Sequence, residues 1–213
     1  MNSIVILCDG AFPTEAYPLF LLDNAQGVVC CDGALKKFLA HKPDGQPLAV
    51  VGDLDSLPED LQERFWDCLF HEAEQEDNDM TKALRWVLTH HPEVQEITIL
   101  GATGLREDHT VGNLGLLMDY PRQFDLGERK LAMVSDFGTA FVVTDSSDLH
   151  LGEGRRISLF SADNSLKITS EGLEWPLDDV VFDAWWKATL NRTSAPVVSL
   201  HFNHPSAVLV MVD

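Results

Sequence analysis

The stretch Leu48-Ala49-Val50-Val51-Gly52-Asp53-Leu54-Asp55-Ser56 decides how this chain is read. Its first four residues form an apolar run bounded by turn residues, the pattern of a short core strand. Ser56 is followed three residues later by Glu59, a capping-box pattern, and Pro58 falls early in a helix expected over residues 58 to 69. Asp53 and Asp55 therefore sit where a buried strand gives way to a helix start. Two carboxylates at such a crossing repel each other unless a cation lies between them. A hard divalent ion, Mg2+ above all, is the natural occupant because it prefers oxygen ligands and is shared with phosphates. Solvated turn aspartates are the alternative on this segment alone.

Working outward, strand and helix patterns alternate up to about residue 137. Strands are expected at Ile4 to Leu7, Val28 to Cys31, Leu48 to Val51, Glu96 to Leu100 and Leu131 to Val134, with a further short one around Leu69-Phe70. Met80, Leu84, Val87 and Leu88 form a helical stripe that stops at His91-Pro92. Val111, Leu114, Leu117 and Met118 form another, expected to end before Pro121. Such alternation predicts a parallel, Rossmann-like sheet covered on both faces, with ligands beyond the carboxyl ends of the strands. After residue 137 the elements become short and rich in β-formers: Phe141 to Thr144, Ile157 to Phe160, Leu166 to Thr169, Val197 to Phe202 and Ala207 to Val212. Turn clusters such as Gly152-Glu153-Gly154 and His204-Pro205-Ser206 separate them, which predicts an antiparallel β-sandwich. Residues 182 to 188 read equally as strand or helix. The expected organisation is an α/β domain over 1–137 and an all-β domain over 138–213, without internal repeats.

Of the 213 residues, 15 are Lys or Arg and 34 are Asp or Glu, a formal charge of −19. That field repels nucleic acid and anionic membrane, and the densest basic spots are only the pairs Lys36-Lys37 and Arg155-Arg156. An acidic chain that binds a polyanion such as a nucleotide must recruit metal ions to offset the repulsion. No apolar run approaches the length of about 18 residues needed to span a bilayer. The chain enters a strand at once, without a signal-peptide pattern, and the expected compartment is the cytoplasm. Cys8, Cys30, Cys31 and Cys68 form no CxxC and read as structural free thiols.

The carboxyl ends of the expected strands carry Asp9-Gly10, then Asp32-Gly33-Ala34, then Gly52 to Ser56, then Gly101 to His109. Glu74 to Asp79 adds an acidic cluster that runs into the helix start at Met80-Thr81-Lys82. Small residues at one sheet edge let a ligand approach the backbone, and helix N-termini supply N–H donors for phosphate. Lys82 lies one turn into its helix, unfavourable for a cation unless it reaches forward to a phosphate; an exposed lysine without a task is the alternative. Arg106 could pair with Glu107 or Asp108, and His109 could be a satisfied helix-start histidine.

Together these pieces resemble the thiamine pyrophosphokinase family. The resemblance rests on Cys31-Asp32-Gly33-Ala34, Gly52-Asp53-Leu54-Asp55-Ser56, Gln75 to Leu84 (QEDNDMTKAL) and Gly101 to Leu114 (GATGLREDHTVGNL). Weaker matches lie at Gly172 to Leu177 and at Thr189 to Arg192. Motif order and spacing hold over nearly the whole chain. Two departures stand out: Asn78 replaces a common Thr, and Leu190-Asn191 falls where the family has Ser-Asn.

The resemblance implies a catalytic α/β domain, a C-terminal β-sandwich that helps to bind thiamine, and a homodimer. It implies transfer of the terminal pyrophosphoryl group of ATP to the thiamine hydroxyl, with release of AMP. By position, Asp53, Asp55 and Asp79 match magnesium-binding acids, and Asp108 matches a residue near the substrates that could orient or deprotonate the acceptor hydroxyl. Asp32, Gly33, Ser56, Lys82, Arg106 and His109 are the candidates for ATP and its phosphates. Gln75, Trp175 and Asn191 are the candidates for thiamine, with Trp175 offering a cation–π face or simply packing within the sandwich. Phosphoryl-type transfer depends mainly on positioning and electrostatics, so no covalent nucleophile is expected. Rival readings are a sugar-nucleotide transferase built on Asp53-Leu54-Asp55 and a non-catalytic nucleotide or thiamine sensor.

Overall fold

The computed structural model describes residues 2–72, 74 and 76–213. It divides into two compact units, Met1–Asn113 with Leu126–Asp136, and Leu114–Asp125 with Phe137–Asp213.

The first unit is built on parallel strands β1 (Ser3–Leu7), β2 (Gly27–Cys31), β3 (Ala49–Gly52), β4 (Leu69–His71), β5 (Glu96–Leu100) and β6 (Lys130–Ser135). Their order is β4-β3-β2-β1-β5-β6, every pair parallel. The inner strands are apolar at nearly every position because both faces are covered; Val5, Leu7, Val28, Cys30 and Val50 share one core with Leu35 and Phe38. Helices α1 (Ala16–Asn24), α2 (Ala34–His41), α3 (Glu59–Arg64) and α4 (Asp79–His90) lie between the strands of this unit, and α5 (Glu107–Gln123) belongs to it up to Asn113 and to the second unit from Leu114. The progression β1 to β4 moves one way along the sheet, and β5 then returns to the other side of β1. The exits of β1 and β5 thus flank the point where the strand order reverses, where a crevice opens in sheets of this kind.

Local chemistry explains most element boundaries. The Asn78 side chain caps α4 by accepting from the Thr81 backbone N–H at 3.0 Å. Met80, Ala83, Leu84 and Val87 are its buried stripe. The expected helix over 58 to 69 is corrected: α3 ends at Arg64, and a short 3-10 turn, Trp66–Cys68, leads into β4. The capping box does not form either. Pro58 takes the N-cap position, and the Ser56 backbone N–H donates to Asp32 instead. Helix α5 runs through Pro121 to Gln123 rather than ending before it. Its stripe also differs from expectation: Leu117 and Tyr120 are buried, whereas Val111 is 64% exposed, because the buried side of the first turns carries Asn113. Helices α1 and α2 were not among the expected elements; α1 carries no distinct stripe, whereas α2 buries Ala34, Leu35 and Phe38 on one side.

The second unit holds two antiparallel sheets. β7 (Gly138–Val143), β14 (Val208–Val212), β9 (Arg156–Phe160) and β12 (Ala188–Arg192) form one in that order. β8 (Ser147–His150), β13 (Val197–Phe202), β10 (Lys167–Glu171) and β11 (Val180–Val181) form the other. One core draws on both sheets: Ile157, Leu159, Val208 and Val210 from the first meet Leu149, Ile168, Val198 and Leu200 from the second. The ambiguous segment 182 to 188 is irregular up to Lys187 and enters β12 at Ala188. No helix among the described residues is long and apolar enough to cross a membrane.

Candidate active site

A cavity of about 570 Å3 lies in the first unit at the exits of β1, β2 and β5. Its size is that of a small-molecule or cofactor site. At the point of reversal the backbones of β1 and β5 come very close. The Gly10 N–H donates to Gly101 O at 2.7 Å, and a Cβ on Gly10 would stand 2.2 Å from that oxygen. Only glycine fits there.

The carboxylates assemble around Gly52. A Cβ on this residue would lie 3.0 Å from Asp32 Cβ and 3.1 Å from Asp79 Cγ, so the missing side chain is what admits both acids to the end of β3. Asp32 is 5% exposed and holds a left-handed φ of +28°. One of its oxygens accepts from the Ser56 N–H at 3.1 Å; the other, Oδ1, is buried without a hydrogen-bond partner. Burial pushes the Asp32 carboxyl up, against the pull of the Ser56 N–H, and the Asp53 charge adds to the rise. Asp79 is likewise raised by burial; Lys82 opposes this, and Asp53 and Asp32 reinforce it. Asp32 and Asp79 are thus both raised, by burial first and then by neighbouring carboxylates, and the nearby lysines do not reverse the rise.

The donor set fits Mg2+. Among the described residues no group of three His, Cys, Asp or Glu side chains is closed around a single metal position. Mg2+ does not need such a cage: it keeps several waters and is held through one or two carboxylates plus substrate phosphates. The unpartnered Asp32 oxygen and the mutually repelling acids are what such an ion would satisfy.

Asp32, Gly33, Ser56, Asp79, Arg106 and His109 all line the cavity. Asp53 is half-buried beside them, its carboxylate accepting from the Asp55 N–H at 3.3 Å, and Asp55 is exposed. Lys82 is not at the cavity wall. It is buried behind Asp79, with Nζ 3.6 Å from Asp79 Oδ1 and donating to the Glu72 carbonyl at 3.0 Å. Asp108 is exposed and bound by the Arg106 guanidinium through two hydrogen bonds of 2.6 and 3.1 Å, which hold its carboxyl below the usual range. Gln75 lies outside the described residues. In the second unit Asn191 and Trp175 are brought together. Asn191 is buried, receiving the Trp175 N–H at 3.2 Å and donating to the Trp175 carbonyl at 2.7 Å, while Trp175 itself is exposed.

Two contributors escaped sequence reasoning. Lys37 donates to the Asp9 and Gly10 carbonyls and pairs with the Asp9 carboxylate at 2.7 Å, fixing the exit of β1. Asn113 donates to the Ala102 carbonyl at 2.7 Å and receives the Asn78 amide at 2.9 Å, joining the exit of β5 to the cap of α4. The available signal was spacing: His109 and Asn113 stand i, i+4 on one helix, a polar face where the apolar stripe was sought.

Comparisons with known proteins point to one family. A family model described as thiamin pyrophosphokinase, catalytic domain, matches residues 20–126. A second, thiamin pyrophosphokinase, substrate-binding domain, matches residues 138–210. Thiamine pyrophosphokinase 1 of Oryza sativa subsp. japonica is 26% identical over 186 residues, covering 75% of this chain and 68% of its own. Thiamine pyrophosphokinase of Bacillus subtilis (strain 168) is 36% identical over 75 residues, 33% of this chain and 34% of its own. Among solved structures, thiamin pyrophosphokinase from Geobacillus thermodenitrificans superposes with a TM-score of 0.76 at 23% identity, covering 99% of this chain and 97% of its own. Yeast thiamin pyrophosphokinase gives 0.77 at 17% identity, covering 100% and 86%; at these identities the structures speak for the fold. With both family models matched in order over most of its length, the chain belongs to the thiamin pyrophosphokinase family, transferases that make thiamine diphosphate.

Proposed function

We propose that the chain carries out Mg2+-dependent transfer of the terminal pyrophosphoryl group of ATP to the thiamine hydroxyl, giving thiamine diphosphate and AMP. The observation that carries this reading is the approach of Asp32 and Asp79 across Gly52, with Asp53 near enough to act on both, beside a cavity of nucleotide size. Asp53, Asp55 and Asp79 hold the metal, and Asp32 joins them because its buried Oδ1 has no other partner. Bound Mg2+ offsets charge on the ATP phosphates and on the departing AMP. Gly33, Ser56, Arg106 and His109 take the ATP itself. The N-terminus of α2, which starts just after Gly33, adds N–H donors for phosphate. Lys82 acts on the phosphates through Asp79, as a positioning residue. Asp108 orients the acceptor hydroxyl, and its pairing with Arg106 links acceptor to transferring group.

In this reading residues 1–137 form a Rossmann-like, ATP- and Mg2+-binding domain. Residues 138–213 form the sandwich that binds thiamine and pairs two copies of the chain. Trp175 offers an aromatic face to the cationic thiazolium, and Asn191 fixes the backbone that presents it. Gln75 completes the thiamine contacts, and the enzyme works in the cytoplasm. The test is AMP release across a panel of alcohols and phosphoryl donors, with and without Mg2+. Thiamine-dependent, Mg2+-dependent AMP formation is expected. Consumption of nucleotide sugars instead, or tight thiamine binding without AMP, would replace this reading with a sugar transferase or a sensor.

A further inference from the structure

Two of the four cysteines differ from the rest in where they stand. β1 and β2 run parallel with Leu7 opposite Cys30, so the next residues, Cys8 and Cys31, meet one step beyond the last paired position. Their Sγ atoms are 3.8 Å apart in a buried thiol–thiol contact, and both residues line the cavity. No step assigned above uses either. Neighbouring strands are spaced about 4.8 Å apart. That lies inside the Cα separation a disulfide accepts, roughly 4.4–6.8 Å. We propose that Cys8 and Cys31 are an oxidisable dithiol in the wall of the cavity, which a hydroperoxide converts to an intramolecular disulfide that disables the neighbouring carboxylate site.

The chemistry closes without another reactant. One thiol sulfur attacks a peroxide oxygen; the S–O bond forms, the O–O bond breaks, and the thiol proton leaves with the departing hydroxide as water. The second thiol then attacks the sulfenic sulfur; the S–S bond forms and the S–O bond breaks, releasing a second water. Two thiols and one hydrogen peroxide give one disulfide and two waters, each sulfur losing one electron and the peroxide gaining two.

Closing the gap from 3.8 Å to a bond of about 2.05 Å turns both side chains toward each other, and whatever their torsions do not absorb falls on the two strand exits. Neither exit has slack. Gly101 packs against the Cys8 carbonyl so tightly that a Cβ there would come within 2.5 Å of its oxygen. Cys31 leads directly into Asp32, buried and already left-handed. Both residues line the cavity, so a small thiol entering it reduces the bond by exchange and the modification is reversible. Cys30 and Cys68 serve as internal controls. Cys30 alternates to the other face of β2, and it is buried in the core with Cys68.

The loss of function, though not the disulfide, rests on reading the cavity as the Mg2+–ATP site. The full chain, reduced and then treated with hydrogen peroxide, is alkylated and peptide-mapped, and Mg2+–ATP binding is measured by calorimetry before and after. A Cys8–Cys31 crosslink is expected, with Cys30 and Cys68 still alkylated. Binding should weaken at least about tenfold and return on addition of dithiothreitol. In Cys8→Ser and in Cys31→Ser the ratio of treated to untreated binding should stay near one. Alkylation of both Cys8 and Cys31 after peroxide overturns the dithiol. A crosslink formed with binding unchanged overturns its effect on the site. Failure of the reduced chain to bind Mg2+–ATP would count against the functional reading alone, since the peptide map decides the dithiol independently.

Discussion

Lys82 and Asp79 stand one turn apart on α4, with Nζ 3.6 Å from Oδ1, and the lysine is almost wholly buried. A buried ammonium is stable only when paired, and here its partners are one carboxylate and the Glu72 carbonyl. The pair sets the charge of Asp79: Lys82 pulls its carboxyl down while burial and two neighbouring acids push it up. Because the balance leaves Asp79 raised, metal-dependent activity should fall as acid protonates it. Lys82→Met removes the opposing charge and raises Asp79 further. The acid limb of the kcat/KM profile should then move to higher pH, with a loss of about 10–100-fold at neutrality. A drop in stability with the limb unmoved would mean that Lys82 only fills space.

Gly52→Ala is expected to damage the site more than the fold. The added methyl would press on Asp32 Cβ and Asp79 Cγ at 3.0 and 3.1 Å, and those atoms carry the carboxylates. Overpacking of this kind costs about 1–3 kcal/mol. The same displacement should weaken Mg2+ dependence by an order of magnitude or more, read from the Mg2+ concentration that gives half-maximal AMP release. An unchanged Mg2+ requirement in the folded variant would remove Gly52 from the account.

Asp32→Asn should trade activity for stability. Asp32 holds its proton more tightly in the folded chain than in the unfolded one, as does Asp79. The stability each contributes is thus fully present below the ordinary value of 3.8 and is lost as pH rises through the raised folded value. Without metal, the contribution of these two groups therefore grows as pH falls toward 3.8, opposite to that of carboxylates held low such as Asp163, and comparison with the variant isolates it. Asparagine keeps the oxygen that receives the Ser56 N–H, tolerates a positive φ, and carries no charge. Melting in the presence of a chelator should rise by about 2–4 °C, the equivalent of about 1 kcal/mol in a chain of this size, with a weaker pH slope. Turnover should fall by orders of magnitude. A lower metal-free melting point in Asp32→Asn would show that the charge is not uncompensated.

What could be read in the sequence follows from which forces act locally. Val50-Val51-Gly52 announced a buried strand because a parallel strand covered on both faces must be apolar throughout. The cap and stripe of α4 were legible for the same local reason. Helix α1 was not, since Ala16 to Asn24 is apolar on several sides and holds Pro18, so no face stands out. α2 did offer a signal, since Ala34, Leu35 and Phe38 share its buried side opposite Lys36 and Lys37, but Asp32-Gly33-Ala34 was read only as a strand exit. Ser56 was misread because a capping box and a hydrogen bond to a distant aspartate use the same residue, and Asp32 won. Asp32 was expected beside the phosphates, and its nearness to the other acids was not foreseen. Only its approach to Asp79 across Gly52, a relationship between three strand and helix ends, reveals its place. Asn113 escaped for a similar reason: its partners, Ala102 and Asn78, lie 11 and 35 residues away.

Leu190 occupies the position where the family resemblance calls for serine, and its backbone shows that the difference is conformational as well as chemical. It is 86% exposed with φ +59°, a left-handed geometry that a branched apolar side chain rarely adopts. The register of β12 against β9 shifts between Ala188 and Asn191, so Leu190 stands at a bulge, anchored by its N–H to Ser158 Oγ at 3.0 Å. Leu190→Gly should therefore stabilise the chain by about 1 kcal/mol, since glycine pays no penalty at this φ and little packing is lost. Leu190→Ser addresses the chemistry. It restores a hydroxyl next to Asn191, which holds Trp175, and should lower KM for thiamine severalfold while leaving KM for ATP unchanged. A change in both constants would place Leu190 outside the acceptor contacts. A lower melting point in Leu190→Gly would mean that the exposed side chain still buries against its neighbours enough to offset the strain of its backbone.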